Sequence, residues 1–156
     1  VCELDEIDLR ILAALQTDNQ RTAEELGERV GLSTSAVQRR IKRLRQEGVI
    51  LRDTSVIDPK AVGMTANFIV EVSLERENSD VIENFKRRMR QIPQVQQCYY
   101  TTGDADFILF ILSRSLDAYN DVIQPLFIDD RTIRRFKTSV VLQTVKAGLT
   151  VPLTED

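Results

Sequence analysis

Between Ser33 and Arg45 the chain sets out side chains suited to reading a polyanion. Five bases (Arg39, Arg40, Lys42, Arg43, Arg45) fall between Gln38 and Arg45 with no acid among them. An arginine guanidinium matches the guanine edge with two parallel donors, and a glutamine amide matches adenine, so Gln38 and Arg39 are candidate base readers. Lys42 and Arg43 continue the basic surface and suit phosphate oxygens. Ser33, Thr34 and Ser35 offer small hydroxyls at the start of the same segment, where a helix N-terminus attracts phosphate. A basic run on an ordinary solvated helix would do none of this, so the elements around it decide.

Those elements read as a helix-turn-helix over Thr22–Gly48. Thr22 and Glu25 have capping-box spacing, and Ala23, Leu26 and Val30 follow at helical spacing. Gly31 can end that helix with φ > 0, and Ser33 can cap the next. Val37, Ile41 and Leu44 make one apolar face of the second helix, opposite Ser35, Arg39, Lys42 and Gln46. A second helix built this way is the one that enters a major groove. Before it, Asp5–Gln16 is expected as a helix with Ile7, Ile11, Leu12 and Leu15 turned inward and acids at its start. After it, the β-rich stretches at 49–51 and 54–57 flank Arg52 and Asp53 and predict a two-stranded wing. Pro59 and Gly63 then break the pattern. The expected division is a winged helix-turn-helix domain at 1–58, a linker at 59–65 and a second domain at 66–156.

The second domain alternates strand and helix signals. Phe68, Val70, Val72 and Leu74 alternate along one strand; Ile82, Phe85, Met89 and Ile92 mark a helix that stops before Pro93. A strand over Val95–Thr102, a Gly103-Asp104 turn, and the unbroken apolar run Phe107–Leu112 follow; that run reads as a central strand buried on both faces. Asp117–Phe127 is a second helix in which Pro125 should force an early end or a kink. Ile133–Val145 closes the domain as a long strand. The order βαββαβ is the ferredoxin-like split unit, and the whole chain is α+β. Two helices on one sheet face leave the other uncovered, which predicts a homodimer.

The chain has 156 residues, 42% hydrophobic and 29% charged, which suits packed domains. Its net charge is −3, so any DNA binding must come from the local basic patch. Cys2 and Cys98 form no disulfide framework, there is no histidine, and no metal-ligand spacing occurs, so no metal or cofactor is expected. No apolar run reaches membrane-spanning length and no signal-peptide pattern opens the chain, so no membrane association is expected and a cytoplasmic, nucleoid-associated setting is. The chain opens at Val1 rather than Met, leaving room for earlier residues. Asp104 and Asp106 are paired acids without a partner constellation, which makes a small-molecule enzyme the weaker alternative. An architectural DNA-binding protein that answers to no effector is the other.

The opening LDEIDLRILAALQTD, the segment ELGERVGLSTSAVQRRIKRLRQEGVI and the later TTGDADFIL, in that order, resemble the Lrp/AsnC "feast/famine" transcriptional regulators along nearly the whole chain. The resemblance implies a C-terminal ferredoxin-like domain of the RAM type, dimers that can assemble further into octamers, and a small effector, usually an amino acid. It places effector contacts at Thr102, Gly103, Asp104 and Asp106, with Tyr100 just before them and Thr138 and Ser139 on the last strand. Two positions depart from the family pattern. Ala105 stands where many members carry an aromatic, and STSAV lacks the prolines that often open this helix.

Overall fold

The computed structural model describes residues 3–75 and 78–153. They form two compact units, one running to Val56 and including the chain from Ala147 onward, the other Ile57–Lys146.

The first unit holds three helices. α1 spans Glu6–Thr17 and opens on a capping box in which the Asp5 side chain takes the Asp8 N–H at 2.8 Å and Asp8 returns the bond to the Asp5 N–H. α2 spans Ala23–Val30, with the expected Thr22–Glu25 box at its start and Gly31 left-handed at φ 74° at its end. α3 spans Thr34–Gln46 and is capped by Ser33. Their apolar faces meet in a core of Ile11, Leu26, Val30 and Val37, with Ile7, Leu15, Leu32 and Ile41 packed around it. Each aliphatic side chain buried this way stabilises the unit by roughly 1.5–3 kcal/mol. Gly27 makes the tight turn possible. A Cβ there would stand 2.5 Å from the Leu32 carbonyl oxygen, whereas the Gly31 and Leu32 amides both bond the Gly27 carbonyl.

The expected wing does not form. No strand is present between Val49 and Asp58, and Leu51 and Val56 are exposed. Arg52-Asp53 lacks the Gly or Asn that a two-residue hairpin turn needs at positive φ. Instead the amides of Val49 and Ile50 fold back onto the Leu44 carbonyl, and Asp53 pairs with Arg45 at 2.9 Å.

The second unit opens with a short 3₁₀ turn at Lys60–Val62. It continues as β1 (Ala66–Leu74), α4 (Ser79–Arg90), β2 (Val95–Tyr100), β3 (Phe107–Ser113), α5 (Leu116–Ile128) and β4 (Ile133–Val140). The sheet order is β2-β3-β1-β4 with every pair antiparallel, as the βαββαβ reading requires. Phe68, Val70, Val72 and Leu74 of β1 and Phe107, Leu109 and Ile111 of β3 face Phe85 and Met89 of α4 and Tyr119, Ile123 and Phe127 of α5. Arg88 of α4 pairs with Asp130 and donates to the Leu126 carbonyl, tying the two helices together at their ends.

Three expectations change. Phe107–Leu112 is not buried on both faces: alternate residues are buried, while Phe110 is 37% exposed on the side away from the helices. β4 ends at Val140, which pairs with Phe68, because β1 has only two residues left beyond that pair. Pro125 does not shorten α5, which runs on to Ile128. The proline lies in the last turn, where it removes one backbone bond, and burial of Phe127 just beyond it (2% exposed) holds the turn in place.

Candidate nucleic-acid interface and sheet-face cleft

α3 presents its exposed side as Thr34, Ser35, Gln38, Arg39, Lys42 and Gln46, while Val37 and Leu44 anchor the opposite side in the core. The side chains of Gln38, Arg39 and Lys42 make no hydrogen bond or ion pair with any described residue, so their donors are available to a ligand. The Ser33 hydroxyl accepts the Ala36 N–H at 3.3 Å and lies 3.3 Å from the Ser35 hydroxyl, so it serves the helix as well as the surface.

Arg43 is placed differently from Lys42. Its Nη2 bonds Asp8, and its Nε stands 3.8 Å from Glu47. Arg40 donates to Asp8 at 2.8 Å and to Asp5 at 2.6 Å. Asp8 is 1% exposed and receives both guanidinium groups. The Asp8 backbone N–H and the Arg40 guanidinium hold the Asp5 carboxyl below the ordinary carboxylate range, and the two carboxylates push Arg40 higher still. By its place in the sequence Asp8 is only one of the acids at the start of α1. The available signal was spacing: Arg40 stands three residues after Val37 and one before Ile41, beside the apolar seam rather than opposite it.

In the second unit a cleft of about 570 Å³ opens on the sheet face away from the helices. Its polar lining includes Glu71, Ser73, Thr102, Asp104, Arg135 and Lys137, with Ile108 as an apolar patch. The register explains the set, since residues opposite one another on paired strands share a face: Arg135 stands beside Ser73, and Lys137 beside Glu71 at 3.6 Å between charged atoms. Asp104 reaches the same rim because the loop after β2 doubles back: Ser73 donates to the Asp104 carbonyl at 3.1 Å and Thr101 to the Ala105 carbonyl at 2.7 Å. Gly103 carries φ 124°, a conformation other residues rarely adopt. The carboxylate of Asp104 and the guanidinium of Arg135 have no bonded partner among the described residues.

The seven residues named as effector contacts therefore separate. Thr102 and Asp104 line the cleft, and Gly103 shapes it. Ser139 lies on the same sheet face, opposite Ile69. Asp106 accepts the Leu74 N–H at 2.6 Å and holds the loop to β1. Tyr100 packs at a tilt against Phe107, its ring centroid 5.1 Å away, beneath Lys86 of α4, and the Thr138 hydroxyl bonds that of Tyr119 at 2.7 Å, which puts both on the helix-covered side. Arg135, Lys137 and Glu71 carry no mark of the cleft in local spacing, because pairing register gathers them.

Comparison with known proteins bears on both surfaces. The AsnC-type helix-turn-helix domain matches residues 4–45, and the Lrp/AsnC ligand binding domain matches residues 67–151. An uncharacterised HTH-type transcriptional regulator of Sinorhizobium fredii is 46% identical over 97% of this chain and 89% of its own length. The leucine-responsive regulatory protein of Escherichia coli is 31% identical over 92% of this chain and 88% of its own. A transcriptional regulator of Neisseria meningitidis, solved as its complex with L-Met, superposes with a TM-score of 0.88 at 30% identity, covering 97% of each chain.

Proposed function

The chain belongs to the Lrp/AsnC family of transcriptional regulators, and we propose that α3 reads duplex DNA through Gln38, Arg39 and Lys42 while an amino acid in the Asp104–Arg135 cleft adjusts that binding. The observation that carries the reading is the pairing of unpartnered groups. Asp104 and Arg135 offer opposite charges across a cleft of about 570 Å³, within the size range of small-molecule sites. An ammonium on Asp104 and a carboxylate on Arg135 use both, and charge-assisted bonds of this kind are the strong ones. The L-Met bound to the Neisseria relative supports an amino acid as the class of effector. Thr102 and Ser139 supply further hydroxyls, whereas Tyr100, Asp106 and Thr138 act through packing and loop shape.

On the DNA side Arg39 and Gln38 take base edges, Lys42 takes phosphate, and Ser33, Thr34 and Ser35 lie at the backbone. Arg40 and Arg43 stand apart in the basic run, both held by the buried Asp8. Two copies joined through their open sheet faces give the two-fold symmetry that a pseudo-palindromic site matches. We place this work in the cytoplasm, on the nucleoid.

Two titrations test the proposal. Calorimetry across an amino-acid panel is expected to find at least one ligand whose binding is lost in both Asp104→Ala and Arg135→Ala. A ligand held equally by both variants overturns the cleft. For DNA, a duplex selected from a random pool by the unmodified protein is titrated at several salt concentrations. Arg39→Ala should weaken that duplex by about 1–3 kcal/mol and relax base choice, while Lys42→Ala should weaken all duplexes alike and reduce the salt slope by about 1. Unchanged binding in both variants means that another face meets DNA.

A further inference from the structure

We infer that Asp8, with Asp5, is a charge lock that withholds Arg43 and Arg40 from DNA and so limits sequence-independent binding; the inference rests on the reading of α3 as the DNA helix. α3 carries five bases between Gln38 and Arg45, yet three of them are occupied inside the unit. Arg40 pairs with Asp5 and Asp8, Arg43 with Asp8, and Arg45 with Asp53. Arg45 and Asp53 are each about half exposed, so water and salt screen that pair and phosphate can compete for the arginine. Asp8 is different. It is 1% exposed, and its two carboxylate oxygens are divided between the two arginines, Oδ1 to Arg40 and Oδ2 to Arg43. A buried carboxylate has no solvent to replace its partners, so releasing either guanidinium to a phosphate leaves a buried charge under-compensated.

The consequence is selective. Every phosphate neutralised by a cation adds affinity for any duplex, whatever its sequence, because it releases counterions. Base contacts by Gln38 and Arg39 add affinity only for the right sequence. Tying down two cations on the recognition helix lowers the first contribution and leaves the second, which raises the ratio between them. Asp8 is thus a positioning residue that sets which charges DNA meets.

The test is the salt dependence of DNA binding in variants that keep the shape of the cluster. Asn at position 5 still caps α1 and Asn at position 8 still offers an acceptor. Asp8→Asn releases Arg43 from its buried partner and leaves it only the half-exposed Glu47 at 3.8 Å, a screened pair that phosphate can displace, while Arg40 keeps Asp5; D5N/D8N releases both arginines from the buried site. Each arginine that finds a phosphate steepens the slope of log K against log salt by about 0.9. The expected result is therefore a slope steeper by about 0.9 per recognition helix in D8N and about 1.8 in D5N/D8N, with tighter binding to random duplex and a smaller ratio of selected to random affinity. A structural role alone would weaken both duplexes and leave the slope where it was; an unchanged or shallower slope in folded D5N/D8N overturns the lock. The variant D5N/D8N/R40Q/R43Q replaces the whole cluster by neutral groups, which folds tolerate better than half-broken pairs. It should restore the slope of the unmodified protein, and a slope shallower than that by about 1.8 would show that the arginines already touch DNA. Arg39→Ala in the same assay separates the two levels. If it has no effect the DNA face is wrong, whereas if it weakens the selected duplex and the D5N/D8N slope stays unchanged, only the lock is wrong.

Discussion

At the scale of single residues, chemistry that depends on near neighbours in the chain was legible and chemistry that depends on register was not. Thr22 and Glu25, Gly31 and Ser33 each do what their spacing implies, because a cap involves atoms three residues apart. Thr138 and Ser139 are adjacent, so a strand sends them to opposite faces, and only the pairing with Val70 and Ile69 shows which one meets the open side. Asp104 and Asp106 divide in the same way, one lining the cleft and one bonding the Leu74 amide. Asp106→Ala should therefore act on stability before it acts on ligand: loss of the acceptor leaves a part-buried amide without its partner, a cost of about 1–3 kcal/mol readable in the thermal midpoint. Gly27 escaped notice because a lone glycine in a helix carries no chemistry. Its contact with the Leu32 carbonyl predicts that Gly27→Ala destabilises the helix-turn-helix by about 1–3 kcal/mol through overpacking, measured by denaturant midpoint.

At the scale of elements, helices were read closely and strand ends were not. A helix closes its own hydrogen bonds, so α1 to α4 lie within a residue or two of the expected bounds. A strand ends where its partner ends, which is why β4 stops at Val140; the stretch at 49–57, with no Gly or Asn for a two-residue hairpin turn, forms no strand. The ends of α4 and α5 are held by Arg88 and Asp130, whose side chains are 32% and 12% exposed. Burial pushes the Asp130 carboxyl up, but bonds from Thr132 and Arg88 outweigh it and hold the group below its ordinary range. A depressed folded pKa contributes stability that is complete above the ordinary carboxylate value of about 4 and is lost as pH falls through the folded value. The melting-temperature difference between unmodified protein and Asp130→Asn should thus be full at neutral pH and shrink below about pH 4. A gap that stays constant down to pH 2 would contradict the assignment.

At the scale of the whole molecule, each unit has its own core and its own working surface, and the effector unit has one sheet face without cover. Ile69, Ile108, Phe110 and Leu112 lie on that face, with Tyr99 set edge-on to Phe110 at 6.3 Å. The apolar run at 107–112 is legible as a strand, but which half of it stays outward depends on what the far side meets. Ile69→Glu is the substitution that isolates assembly, because Ile69 is half-buried at the surface, whereas Ile111 is 2% exposed in the core and a charge there breaks the fold. Light scattering at micromolar concentration should show a dimer or larger for the unmodified protein and a folded monomer for Ile69→Glu. For DNA affinity to depend on what occupies the Asp104–Arg135 cleft, the ligand must bind two states of the protein with different affinity. The most direct measurement is fluorescence anisotropy of the selected duplex with unmodified protein and with Asp104→Ala, each with and without the amino acid found by calorimetry. The expected result is a shift in Kd for the unmodified protein, no shift for Asp104→Ala, and equal affinities for the two without ligand. Equal shifts in both proteins, or no shift in either, would contradict it.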